Sequence, residues 1–138
     1  MDAGERTVES VMAREFVSVG PGDRLDFVDD VMKLGRIRHM PVISNEALVG
    51  VVSQRDLLAA SLSRVLAFDA QERRTFMRSV EVAEVMTPNP VVVVASATLR
   101  QAARLMLERK IGCLPVVDAE TRVVGLVTET DLLRGAYA

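Results

Sequence analysis

The pattern of hydrophobic and polar positions occurs twice along the chain. Shifting the sequence by 74 positions, with one later inserted residue, aligns Val-Met, Pro-Val and Asp-Leu-Leu segments at residues 11–12 with 85–86, 41–42 with 115–116 and 56–58 with 131–133. Solenoid units are shorter than this period and occur in larger numbers. The sequence therefore predicts a tandem duplication whose two halves are related by pseudo-twofold symmetry.

Each copy is predicted to fold in the order β-α-β-β-α, which is a mixed α/β (α+β) fold. The first helix follows a cap signal at Asp23 or Thr98 and has an apolar stripe at i, i+3, i+4 and i+7 spacing. The second helix begins after Ser53 or Thr128. The predicted strands are short and rich in Val. In the first copy they follow a leading segment at residues 8–12 and cover residues 16–19, 41–43 and 48–52. In the second copy they follow a leading segment at residues 82–86 and cover residues 91–94, 115–117 and 123–127.

The limits of the two copies predict two domains, residues 8–60 and 80–134. The connector at residues 61–79 contains no Gly or Pro and combines apolar with charged residues. This composition favours a helical connector over a flexible linker.

The composition is typical of a soluble globular protein. Of 138 residues, 49% are hydrophobic and 26% are charged, and 17 Lys and Arg against 19 Asp and Glu give a net charge of −2, which argues against nucleic acid as the main partner. One Cys and one His form neither an internal disulfide nor a structural zinc site. The amino terminus is polar and the longest apolar run, residues 91–94, is far below the ~20 residues that cross a bilayer. We expect a cytoplasmic protein with no secretory signal and no membrane partner.

Two segments place a hydroxyl at the end of a predicted strand and a carboxylate three residues later. They run from Ser53 to Asp56 and from Thr128 to Asp131, and each follows a Gly and two apolar residues. Ser/Thr-x-x-Asp is also a helix-capping box, in which hydroxyl and carboxylate bind backbone N–H groups, and this explains either segment alone. Two copies at the same place in a duplicated frame favour a shared binding function.

In these segments the chain resembles a tandem pair of cystathionine-β-synthase (CBS) domains. The resemblance is carried by the Val-Met pairs, by IRHMPV at 37–42 and IGCLPV at 111–116, and by both Gly-x-x-Ser/Thr-x-x-Asp segments. It implies two domains packed through their sheets and a stand-alone, non-enzymatic regulatory protein. Such a protein binds AMP, ADP, ATP or S-adenosylmethionine in the cleft between the domains, as a regulatory ligand and not a catalytic cofactor. The resemblance further implies an energy sensor that signals by conformational change, forms a homodimer and acts on a protein target that the sequence does not identify.

The resemblance also implies roles for single residues. Asp56 and Asp131 are expected to bind ribose, because an ionised carboxylate accepts from both donors of a vicinal diol. A helix amino terminus beside each favours phosphate. The other expected contacts are, for hydroxyl or phosphate groups, Ser53, Thr128, Arg38, His39 and Arg55, and, for the purine, Glu15, Phe16, Met40, Pro41, Asn89, Pro90, Leu114 and Pro115.

The two copies differ in charge. Arg-His at residues 38–39 corresponds to Gly-Cys at 112–113, and Arg55 corresponds to Thr130. The first copy therefore has the cations that a nucleotide phosphate needs. For the second copy three alternatives stay open: an uncharged adenosyl group, an arginine borrowed from elsewhere, or no ligand.

Several alternatives stay open. In a ligand-independent structural or dimerisation module both motifs are only caps, and the seams are the segments at Met12 and Met86 with the helices after the motifs. For His39, phosphate contact and ordinary packing are equally favoured, and Cys113 is expected to be a buried, inert thiol. An enzyme is not expected, because no phosphate loop or nucleophile motif occurs and no catalytic or metal-binding residue is assigned. With one Tyr and no Trp for base stacking, little supports nucleic-acid contact through the connector residues Arg64, Arg73, Arg74 and Arg78.

Overall fold

The structure is a computed structural model that describes residues 2–65 and 69–137, with only the backbone described at 62–65. The chain divides into two compact units. The Asp56 unit comprises residues 17–89, and the Asp131 unit comprises the residues up to 16 together with those from 90 onward. Each unit is mixed helix and sheet, as the sequence predicts.

The Asp56 unit contains a three-stranded antiparallel sheet in the order β1-β2-β3. Val19 adds a single parallel bridge to Val42 on β1. In chain order its elements are α1 (Leu25–Gly35), β1 (His39–Ser44), β2 (Ala47–Ser53), α2 (Gln54–Val65), α3 (Ala70–Arg78), α4 (Val82–Val85) and β3 (Thr87–Pro88).

The Asp131 unit contains a second three-stranded sheet in the order β4-β5-β6. β4 is parallel to β5, β5 is antiparallel to β6, and Ala13 bridges Leu126 on β6. Two short 3₁₀ helices, Ala3–Glu5 and Val8–Ser10, precede β4 (Val93–Val94), α5 (Leu99–Arg109), β5 (Cys113–Val117), β6 (Val123–Thr128) and α6 (Glu129–Tyr137).

The predicted element order is confirmed, but two local predictions are wrong. The strand expected at residues 16–19 is only the bridge at Val19, because Val17 is exposed and a Gly-Pro-Gly segment follows at 20–22. The cap expected at Asp23 is absent, because that carboxylate accepts the Gly20 N–H instead and α1 begins without a side-chain cap. In the second copy Thr98 does form the predicted capping box with Gln101.

The connector is helical where the structure describes it. α2 continues to Val65 and α3 begins at Ala70 after a cap from Asp69; residues 66–68 of the predicted connector lie outside the described residues. Arg74 on α3 donates to the Asp30 carboxylate from both terminal nitrogens of its guanidinium, at 3.2 and 2.9 Å. This hydrogen bond lowers the pKa of Asp30. Together with buried Met77, the ion pair holds α3 against α1.

The leading segment of each copy packs on the body of the other copy. The Val8 N–H donates to the Ala97 carbonyl at 2.8 Å, and the Val82 N–H donates to the Asp23 carbonyl at 2.8 Å. Val8 and Val82 are both fully buried. Each compact unit therefore joins the leading segment of one copy to the strands and helices of the other.

The predicted apolar stripes form the two cores. Each stripe faces the strands of its own sheet, where the apolar side chains that alternate along the strand are buried. The buried stripe residues are Leu25, Val28 and Met32 in the Asp56 unit and Leu99, Ala102 and Met106 in the Asp131 unit.

Gly50 and Gly125 are required by close backbone contacts within their own units. A Cβ at Gly50 would lie 2.5 Å from the Met86 Sδ and 2.9 Å from the Thr87 carbonyl oxygen. At Gly125 the corresponding distances are 2.7 Å to the Met12 Sδ and 2.9 Å to the Ala13 carbonyl oxygen. The strand before each motif therefore contacts, at its glycine, the leading segment of the other copy or the residue that follows that segment.

We expect Gly50→Ala to lower the free energy of unfolding by about 1–3 kcal/mol, because the methyl group overpacks a contact with backbone. Urea unfolding measures the change. Gly22→Ala is the matched control, since a Cβ there meets nothing within 4 Å and the expected change is within about 0.5 kcal/mol. Equal unfolding midpoints for the two variants would contradict the close contact.

Candidate functional site

The first motif spans the end of β2 and the first turn of α2, and its residues form reciprocal hydrogen bonds. The Ser53 N–H donates to Asp56 Oδ2 at 2.8 Å, and the Asp56 N–H donates to Ser53 Oγ at 3.1 Å. Both side chains are half-buried. The motif is therefore a capping box that fixes the carboxylate at the amino terminus of a helix.

The second motif repeats this geometry between β6 and α6. The Thr128 N–H donates to Asp131 Oδ2 at 2.8 Å, and the Asp131 N–H donates to Thr128 Oγ1 at 3.3 Å. The Thr128 hydroxyl also donates to Asp131 Oδ2, at 3.1 Å. No corresponding bond from the Ser53 hydroxyl occurs among the described residues.

Each carboxylate uses only one of its two oxygens in its cap. Among residues 2–61 and 69–137, no group donates to Oδ1 of Asp56 or of Asp131. The cap predicted by the structural alternative is present, and it leaves Oδ1 able to accept a further hydrogen bond. Capping and ligand binding are therefore compatible in one side chain.

The residues expected to bind phosphate lie next to the first motif along the backbone. His39 is paired with Ser53 in the β1–β2 register, and the Gln54 N–H donates to the Arg38 carbonyl at 2.8 Å. Arg38 is exposed and His39 is half-buried. The structure thus brings both residues to the end of β2, where α2 begins.

Arg55 lies on a different face of α2. It lines a cavity of about 300 Å³ in the Asp56 unit that also includes Lys33 of α1 and Arg73 of α3. Ser53 and Asp56 do not line this cavity. The sequence did not indicate this cavity, because its third wall is the connector, which has no equivalent in the second copy. A role for Arg55 on a ligand phosphate stays a prediction.

The residues expected around the purine lie either in buried strands or near the boundaries between the two units. Met40, Pro41, Leu114 and Pro115 are buried in the strands before the motifs, so a ligand would reach their main chain more readily than their side chains. The rest lie close to the points where the chain passes from one unit to the other; they are Glu15 and Phe16 in the Asp131 unit, Asn89 in the Asp56 unit and Pro90 in the Asp131 unit.

Two connector arginines are already paired with acidic side chains of α1. Arg74 binds Asp30, and Arg78 lies 3.7 Å from an Asp26 carboxylate oxygen. The Arg64 side chain lies outside the described side chains.

Among the described residues, no group of three or more His, Cys, Asp or Glu is placed to hold a metal ion. No described helix has both the length and the apolar composition that a bilayer crossing requires.

A family model for the CBS domain matches residues 8–63 and 82–137, and the chain belongs to the CBS-domain family. It is 31% identical over 127 residues to a CBS domain-containing protein of Dictyostelium discoideum, covering 91% of this chain and 88% of that protein. The crystal structure of CBSX2 from Arabidopsis thaliana in complex with AMP matches with a TM-score of 0.79 and 34% identity, covering 95% of this chain and 96% of that chain.

Other relatives contain this pair of domains within a longer chain. Protein MJ1225 of Methanocaldococcus jannaschii matches with a TM-score of 0.82 and 27% identity, and the match covers 96% of this chain and 48% of that chain. The inosine-5'-monophosphate dehydrogenase of Korarchaeum cryptofilum is 30% identical, and the chain spans 24% of its length. The CBS pair is thus a unit shared by proteins with different further domains, and no catalytic domain is evident in the described residues.

The Cys113 thiol is buried and has a raised pKa. It lies at the start of β5, and desolvation, with a smaller contribution from the Asp131 charge, raises the pKa of the Cys113 thiol to about 12. The thiol is therefore protonated at pH 8, whereas an exposed cysteine with a pKa of about 8.5 is partly thiolate.

We expect iodoacetamide to label native Cys113 at pH 8 at least about 100-fold more slowly than the urea-unfolded chain, because thiolate is the reacting species. Mass spectrometry of timed samples measures both rates. Ser10→Cys, in the exposed part of the leading segment, gives a control thiol that reacts quickly in the folded protein. Equal rates for Cys113 and this control would contradict its burial.

Proposed function

We propose that the chain is a regulatory module that binds adenosine-containing ligands, with Asp56 and Asp131 on the ribose. The observation that carries the proposal is the paired motif: in each copy the carboxylate is held by its own backbone through Oδ2, and none of the described side chains or N–H groups donates to Oδ1. A carboxylate that is fixed in this way accepts the ribose hydroxyls with little further loss of rotamer freedom. The similarity to CBSX2, whose structure was determined with AMP, supports the same ligand class.

The Asp56 motif has the groups that a nucleotide phosphate requires. It lies at the amino terminus of α2, where backbone N–H groups and the helix dipole favour an anion. Arg38 and His39 lie beside it in the same unit. The Ser53 hydroxyl accepts the Asp56 N–H and keeps its own proton for a ligand oxygen. We therefore propose AMP, ADP or ATP as the ligand of this motif.

Ligand binding would act as a signal and not as a step of catalysis. A ligand shifts a conformational equilibrium only by its difference in affinity for the two states. We propose that the bound state is recognised by a separate protein or by further domains of the kind found in longer relatives. Action in the cytoplasm and a role in sensing the energy state belong to the same proposal.

A second candidate function, a dimerisation module, is favoured by one observation. Leu58 on α2 and Leu133 on α6 occupy equivalent positions after the two motifs, and their side chains are 53% and 61% exposed. Exposed leucines at matching positions are typical of a surface that a second copy covers. A homodimer through these helices is compatible with ligand binding, because the two carboxylates lie on other faces of α2 and α6.

Isothermal titration calorimetry with AMP tests the proposal. We expect Asp56→Asn to weaken AMP binding about 10- to 150-fold, which corresponds to the 1.5–3 kcal/mol of a hydrogen bond to a charged group. Asparagine still accepts the Ser53 N–H, so the cap and the fold are retained. The matched control is Asp69→Asn, which changes an aspartate that caps α3 and is expected to leave affinity unchanged. Absence of AMP binding at millimolar concentration, or equal loss in both variants, would contradict the proposal.

Thermal unfolding distinguishes the two candidate functions. A ligand that binds only the native state raises the unfolding temperature, so we expect AMP to stabilise the wild-type protein. If AMP has no effect while Leu133→Glu converts a dimer to a monomer in sedimentation velocity, the dimerisation module is the better description. Glu108→Gln on the exposed side of α5 serves as the control for a surface substitution.

A further inference from the structure

The two motifs differ in charge at one place, the first residue of the helix, which is neutral in the first copy and acidic in the second. This residue is Gln54 in α2 and Glu129 in α6. Both make the same main-chain bond: Gln54 N–H donates to the Arg38 carbonyl at 2.8 Å, and Glu129 N–H donates to the Gly112 carbonyl at 3.2 Å. The backbone of Glu129 therefore contacts the backbone of Gly112 in the same way as the backbone of Gln54 contacts that of Arg38.

The Glu129 carboxylate lies directly over the backbone of Gly112. A Cβ at residue 112 would lie 2.6 Å from Glu129 Oε1 and 3.5 Å from its Cδ. The first copy has an arginine at the equivalent position, residue 38. In the Asp131 unit a carboxylate thus occupies the region next to residue 112, whereas the equivalent residue of the Asp56 unit, Arg38, is itself cationic and exposed.

Two further positions of the second motif add no positive charge to it. The equivalents of His39 and Arg55 are Cys113 and Thr130, and neither carries a positive charge. The Thr128 hydroxyl donates to Asp131, so its proton is already used. Within the Asp131 unit, the motif therefore contains two carboxylates, those of Glu129 and Asp131.

Helix stability does not account for Glu129. An acidic residue in the first turn interacts favourably with the helix dipole, but α2 begins with Gln54 at the same position and forms the same capping box. An uncharged amide therefore satisfies the fold. The carboxylate changes the electrostatic potential at the motif and leaves the backbone arrangement as it is in the first copy.

We propose that Glu129 is a specificity-determining residue that makes the Asp131 motif reject phosphate and accept adenosyl ligands with a neutral or cationic 5′ group. This inference rests on the proposed function and specifies the ligand class of the second motif. A phosphate next to residue 112 meets like charge, which lowers its affinity. A sulfonium, as in S-adenosylmethionine, meets opposite charge at the same place.

Calorimetry in an Asp56→Asn background, where binding at the first motif is expected to be about 10- to 150-fold weaker, reports mainly on the second motif, with AMP and S-adenosylmethionine as the two probes. We expect this protein to bind S-adenosylmethionine at least about tenfold more tightly than AMP. Adding Glu129→Gln is expected to raise the AMP affinity about tenfold and to lower the S-adenosylmethionine affinity, because only the charge is removed. Glu120→Gln, in the exposed turn between β5 and β6, is the matched control and should change neither affinity.

A gain of binding provides an independent measurement. Gly112→Arg combined with Glu129→Gln gives the second copy the charge pattern of the first, and we expect AMP to bind it more tightly than the Asp56→Asn parent. The unfolding temperature of each variant, measured without ligand, confirms that it is folded.

The outcomes separate this inference from the proposed function. If wild-type protein binds AMP through Asp56 but Glu129→Gln changes neither affinity, the inference is overturned and the proposed function stands. The same holds if the Asp56→Asn protein binds neither probe. If the wild-type protein binds neither probe, the proposed function itself fails.

Discussion

The structure depends on one local arrangement, the reciprocal hydrogen bonds between the end of a strand and the first turn of the following helix. In both copies a hydroxyl and a carboxylate three residues apart exchange bonds with each other's backbone N–H groups. These bonds satisfy donors that a helix terminus otherwise leaves unpaired. They also fix Oδ2 of the carboxylate, while Oδ1 accepts no hydrogen bond from the part of the chain that the structure describes. The residue that stabilises the strand-to-helix junction is therefore also the residue suited to bind a ribose.

The sequence was sufficient to predict much of the fold because the signals were repeated. A strand and helix pattern that occurs twice at the same spacing is far less ambiguous than a single occurrence, and the apolar stripes of α1 and α5 are buried as their periodicity predicts. The failures were local. Asp23 has a nearer partner, the Gly20 N–H, and this competition cannot be judged from residue type alone.

The site was only partly predictable. The motif and its helix follow from residue order, and so does the position of His39 opposite Ser53. The direction of each side chain does not. Arg55 lies within the motif, directly before Asp56, yet lines a cavity with α1 and α3 that Ser53 and Asp56 do not line, because successive residues of a helix point to different faces. The contact between Glu129 and Gly112 was not anticipated either, since it depends on the approach of α6 to the start of β5. The only sequence feature that could have indicated this contact is that Gly112 of the second copy corresponds to Arg38 of the first.

The exchange of leading segments has a consequence for synthesis on the ribosome. Every residue of the Asp56 unit lies between positions 17 and 89, so that unit has all its strands once the first two-thirds of the chain has emerged. The segment around Val8 is made before the Asp56 unit, whereas the backbone partners with which this segment pairs, around Ala97 and Leu126, are made after it. During translation the segment must wait for these partners, and the Asp131 unit forms only when β4, β5 and β6 have been synthesised.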